Sequence, residues 1–176
     1  MNMRSEKSYT AIVLAGALVV AGAIALWPVS PRMRTPVPSR VKSFHSIDEL
    51  RTDASAIVLA SSSGPVVKIE AGGATLDFIG LNVIRKLGGN ADVPSKISTL
   101  VPLEPKSRSA LVSGSPVLLF IDSYETTPGV PRKEWVVVGD GAGVFVASGA
   151  RYAKTDSLSV DLPNTLTVSE QGIVAQ

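Results

Sequence analysis

Between Tyr9 and Trp27 the chain is apolar without interruption and holds no charged residue. Nineteen helical positions span roughly 28 Å, about the hydrocarbon thickness of a bilayer. This run assigns the chain to a membrane, and everything after it has to be read as something held there. Tyr9 and Trp27 stand at its two ends, where aromatic rings favour the membrane–water interface. Ala17, Ala21 and Ala25 recur every four residues and form one small-residue helix face. Such a face lets another helix approach closely, although alanine is also common in a plain anchor.

Two outcomes are open for this segment. Arg4 and Lys7, the apolar stretch and then Ala23-Ile24-Ala25 have the order of a secretory signal with a cleavage site after Ala25. Retained instead, residues 9–27 form a single-pass transmembrane anchor, and the length of the run favours that reading. Arg32, Arg34, Arg40 and Lys42 follow the run, against Arg4 and Lys7 before it, and the positive-inside rule alone would put the rest of the chain in the cytoplasm. The signal-like order and the eight-residue N-terminal tail point the other way. An extracytoplasmic domain at the cell membrane is therefore expected.

Charge divides the chain. Residues 1–42 carry six basic side chains against Glu6, and the remainder holds 11 basic and 14 acidic ones. The part that folds is mildly acidic, so no nucleic-acid partner is expected. Cysteine is absent, which removes disulfides, thiolate metal sites and a cysteine nucleophile from consideration. Residues 28–43 contain Pro28, Pro31, Pro36 and Pro38 and read as an extended basic spacer.

Folded structure is expected over residues 44–156, with residues 157–176 as a loosely attached tail. Ser46-Ile47-Asp48-Glu49 has the form of a capping box, which predicts one short helix over about 47–53. Short β-rich runs follow at 56–62, 65–70, 75–85, 96–101, 116–122, 134–139, 144–147 and 152–154. Gly80 falls inside the longest run, where a bulge or bend is expected. Val117 to Ile121 is apolar on both faces, which places that strand centrally. Asp140-Gly141 between two apolar runs predicts a hairpin. The fold class is mainly β: a small OB-like barrel or a sandwich with one short helix, preceded by a single transmembrane helix.

The order of a short helix, the strand Ala56-Ile57-Val58-Leu59-Ala60, the long strand Thr75 to Arg85 running into Leu87-Gly88-Gly89, and Pro116 to Phe120 resembles a known type. It is similar to the OB-like domain of netrins and tissue metalloproteinase inhibitors. It is closer still in pattern to uncharacterised membrane-anchored or secreted bacterial proteins. The resemblance implies the barrel. It implies no inhibitory residue, because that family acts through an N-terminal cysteine that this chain lacks.

Few residues carry chemistry. His45 is the one histidine and stands beside the helix cap, away from any obvious partner base. Ser39-Arg40-Val41-Lys42 falls in the spacer, and Gly139 to Gly143 leads into a strand, not the helix that a phosphate cradle requires. Asp122 and Glu125 are a loop pair with no defined spacing in space. No enzymatic activity, metal or cofactor is expected. Expected partners are the bilayer and a protein or envelope component. The polar stretches 102–110 and 123–132 carry Lys106, Arg108, Tyr124 and Arg132, with Lys133 just beyond. A contact patch is expected at these five residues, against the plainer reading of solvated loops. The alternative function is that of an accessory subunit packed through Ala17, Ala21 and Ala25 into a larger membrane assembly.

Overall fold

The structure, a computed structural model, describes residues 42–71, 74–125, 133–156, 159–169 and 172–175. The apolar run, its alanine face, most of the spacer and Arg132 lie outside these residues. Among the described residues, no helix is long and apolar enough to cross a membrane.

Helix α1 (Ile47–Asp53) forms where the capping box predicts it. Ser46 Oγ accepts from the Glu49 amide at 3.2 Å, and the Glu49 carboxylate reaches back one residue beyond the cap to accept from the His45 amide at 2.8 Å. The Glu49 amide, which the helix leaves unpaired, and the His45 amide just before the cap are thereby satisfied. Ile47 and Leu50 are buried and fix the face that packs inward.

Five strands close a barrel: β1 (Ala56–Ala71), β2 (Ala74–Gly88), β3 (Lys96–Leu100), β4 (Val117–Glu125) and β5 (Lys133–Val137). They run in the order β1-β2-β3-β5-β4, and β4 pairs back onto β1 through Ala56–Ala60. All these pairings are antiparallel except the one between β3 and β5. Closure removes the sandwich alternative, and the arrangement is compatible with an OB-like barrel. Ala56, Val58, Ile79, Leu81, Ile97, Leu119, Ile121 and Trp135 fill the barrel interior. Alternate residues point to opposite sides of a strand, so the intervening Ile57, Leu118 and Phe120 leave the barrel outward. There they enter a second core with Phe44, Ile47 and Leu50. Hence β4 is apolar on both faces because it is a wall shared by two cores.

Four sequence expectations are corrected. The runs 56–62 and 65–70 are one strand, since Ser63-Gly64-Pro65 forms a bulge between the Ser62–Leu81 and Val66–Ile79 pairs and does not end the pairing. Gly80 stands opposite that bulge, and a Cβ there would meet Ser63 Oγ at 2.7 Å. The bend falls where Gly80 predicts it, but its extra residues lie on the facing strand.

Second, Asp140-Gly141 does not reverse the chain. Ile121 pairs with Val137 of β5, and Leu119 pairs with Val144 of β6 (Val144–Ser148), so both strands run in one direction along the same edge of β4. Residues 138–143 are an excursion between them. The Val138 amide donates to Phe120 O and the Phe120 amide donates to Gly143 O, each at 2.9 Å, which pins both ends of the excursion to one residue.

Third, a second helix, α2 (Pro105–Val112), occupies the stretch read as a loop, and Ala110 and Leu111 join the barrel core. Asp140, at φ 58, points its carboxylate at the helix start and accepts from the Leu103 and Glu104 amides at 2.8 and 3.0 Å. Ser107 of α2 is fully buried; its hydroxyl donates to Gly141 O at 3.3 Å and lies 2.6 Å from Thr155 Oγ1. The excursion and the helix thus hold each other.

Fourth, the segment expected as a loose tail is structured. Strands β7 (Arg151–Lys154), β8 (Thr165–Ser169) and β9 (Gly172–Ala175) continue from β6 as an antiparallel meander. Leu162, Leu166 and Ile173 are buried in the second core. The Arg51 guanidinium donates to Ile173 O, so α1 covers part of the edge of the last strand. Blocking an edge in this way hinders strand-to-strand aggregation.

Candidate functional site

The feature that the barrel does not explain is the far half of the β1–β2 hairpin. β2 pairs with β3 only from Phe78 to Asn82, and β1 pairs with β4 only up to Ala60. The Asp77 carbonyl still accepts from the Val101 amide at 2.8 Å; beyond it, Lys68–Ala71 and Ala74–Leu76 bond to no third strand among the described pairings. They form a two-stranded arm that runs past the barrel wall.

The register sorts its side chains into two faces. Directly opposed residues point the same way, and the pairs Val67–Phe78 and Ile69–Leu76 fall on the outward side. Leu100 of β3, paired with Phe78, extends that face onto the barrel. The other side carries Lys68 opposite Asp77 and Glu70 opposite Thr75. Thr75 Oγ1 donates to Glu70 Oε1 at 2.6 Å. The arm is amphipathic, with one aliphatic and aromatic face and one polar face of opposed charges.

The apolar face is open to water. Val67 is 54% and Ile69 38% exposed, while Leu76 and Leu100 are half-buried and Phe78 is buried. An isolated two-stranded hairpin is marginal in water, and this one spends its apolar face on solvent. Something that covers the face would stabilise it.

Of the five expected contact residues, Lys106 and Arg108 lie on α2. Arg108 on α2 donates to Asp77 Oδ2 at 2.6 Å, so it braces the base of the arm and is not a free loop cation. Lys106 is exposed on the same helix. Tyr124 pairs with Glu134, and Lys133 with Glu125, across β4 and β5. Arg132 lies outside the described residues. The arm itself was readable as the alternations Val67-Lys68-Ile69-Glu70 and Thr75-Leu76-Asp77-Phe78. That the two halves share faces follows only from the register.

The one histidine lies elsewhere. His45 Nδ1 is 2.6 Å from Asp161 Oδ2, with both side chains well exposed. The hydrogen bond to Asp161 raises the imidazole pKa above its ordinary 6.5, and the negative charge of Glu49 adds to this. The pair joins the start of the domain to the segment before β8. Among the described residues, no three His, Asp or Glu side chains are grouped so as to hold a metal ion.

Compared with protein-family models, with curated proteins and with solved structures, the chain matches none.

Proposed function

We propose that this chain is a membrane-tethered interaction module. The Tyr9–Trp27 run holds it at the cell membrane, the β domain lies on the extracytoplasmic side, and the arm presents a contact surface to a protein or envelope component. The observation that carries this reading is the apolar face of the arm, with Val67 and Ile69 open to solvent. Unlike the exposed Leu103 and Val160, these two belong to one continuous apolar face with Leu76 and Phe78, and such a face marks a place of contact. The finer assignment, an OB-like barrel of the netrin and metalloproteinase-inhibitor type, is proposed on strand order alone. It agrees in one respect, because OB-like barrels bind through the β2–β3 face and this face runs on from the arm. Fold does not fix function, so the weight rests on the arm.

Protease treatment of intact cells carrying a C-terminal tag on the full chain tests the reading, with membrane and soluble fractions blotted separately. A membrane-bound tag that is digested agrees with it. A soluble tag, or a membrane-bound tag that is protected, refutes it.

The spacing of Ala17, Ala21 and Ala25 favours a second reading, an accessory subunit that packs through its transmembrane helix. Ala21→Leu should then abolish co-purification with a membrane partner while the β domain stays folded. Unchanged co-purification would remove this reading.

A further inference from the structure

We propose that the apolar face of the β1–β2 arm, formed by Val67, Ile69, Leu76 and Phe78 and continued by Leu100, rests on the lipid surface of the membrane to which the chain is tethered. This deepens the membrane-tethered reading, taking the bilayer itself as the envelope component that the arm contacts, and rests on it. Three observations select lipid as the occupant. The first is size. With Phe78 buried and Leu76 and Leu100 half-buried, the face offers a fraction of the roughly 800 Å² per partner that a stable protein complex buries. A contact this small gains little from a partner that must arrive from solution.

The second is the tether. Fourteen residues separate Trp27 from Lys42, where the described structure begins. Fully extended, they reach at most about 50 Å. A domain of about 130 residues has a radius of gyration of roughly 14 Å, so that reach is little more than the domain's own width. A surface held permanently within that distance is present at high effective concentration, and a weak contact then suffices.

The third is the distribution of charge. Lys68, Glu70 and Asp77 all lie on the opposite face, where Glu70 meets Thr75 and Asp77 meets Arg108. The outward face therefore sinks no charge into the acyl boundary, and the polar face stays in water. Because no cation belongs to the apolar face, the contact should not require anionic headgroups, unlike binding by basic clusters.

The absence of native cysteine makes the test direct. Full-length chains with a single substitution, Ile69→Cys or Lys68→Cys, carry an environment-sensitive fluorophore and are reconstituted into phosphatidylcholine vesicles. Flotation is recorded first, then quenching by lipid-borne and water-borne quenchers. The expected result is that the protein floats, the label at 69 is quenched several-fold more by the lipid-borne reagent than the label at 68, and neither added anionic lipid nor salt changes this. Val67→Cys repeats the measurement should Ile69→Cys fail to fold. If the protein floats but both labels are quenched only from water, the lipid contact is wrong while the anchor reading survives. If it does not float, both fail. If the label at 69 becomes shielded only in native membranes and never in protein-free vesicles, the occupant is a protein and the inference is overturned.

Discussion

The ring of Phe44 lies so close over Gly139 that a Cβ on that glycine would stand 2.3 Å from Phe44 Cε2. Gly139 also sits at φ 64, a backbone region that side chains disfavour. Gly139→Ala therefore combines a left-handed alanine with an overpacked second core and should cost about 2–4 kcal/mol. Urea unfolding of the purified chain, followed by near-UV circular dichroism, checks this; an unchanged midpoint would contradict the packing.

Leu166 is fully buried in the second core, in the segment that reads as a tail. Leu166→Ala should destabilise the domain by about 2–5 kcal/mol, as buried leucine truncations do. A loosely attached tail would lose nothing measurable, so thermal unfolding separates the two cases.

Asp140 is the tie between the excursion and α2. Asp140→Ala removes the acceptor of two backbone amides and leaves alanine at positive φ. Together these should cost about 2 kcal/mol. Asn tolerates that backbone and keeps one carbonyl oxygen, so Asp140→Asn should recover part of the loss. Equal unfolding midpoints for the two variants would show that the capping bonds contribute nothing.

His45 gives the domain a pH dependence of known sign. Its pKa is raised in the folded state, chiefly by the Asp161 hydrogen bond, so the pair stabilises the fold fully below the ordinary value near 6.5. That contribution fades as pH rises through the raised folded value. NMR titration of the single imidazole should give a pKa above 6.5, and Asp161→Asn should bring it back towards 6.5. An unshifted pKa in the unmodified chain would mean that the pair does not form.

What the sequence reveals of this fold follows the reach of each signal. The capping box acts over four residues, and α1 forms there. The runs 56–60 and 117–121, apolar on both faces, report burial directly, and both strands are where their patterns put them. Local signals mislead where tertiary contacts outvote them. Gly64-Pro65 has the chemistry of a strand end, yet pairing resumes at Val66 because β2 continues opposite. Asp140-Gly141 has the chemistry of a tight reversal, but both ends of its segment bond to Phe120 of β4. Helix α2 leaves little signal in the sequence, because only Ser107, Ala110 and Leu111 of its eight residues are buried, and its N-cap is Glu104, not the usual Ser, Thr, Asp or Asn. Of the candidate site, the alternating halves of the arm were visible. Their common face needed a register that no spacing encodes.

The second core has a consequence for synthesis. Phe44, Ile47 and Leu50 are among the first residues of the domain to leave the ribosome, and Leu162, Leu166 and Ile173 among the last. Between Leu50 and Ile173 lie 122 residues, so α1 meets its final packing partner only after the rest of the domain has been made. The barrel strands are all made by Val137, and closure can precede that event. During the interval, the newborn chain carries a barrel whose outward Leu118 and Phe120 still lack Leu162, Leu166 and Ile173, a half-built core that a chaperone or premature termination would encounter and the finished protein hides.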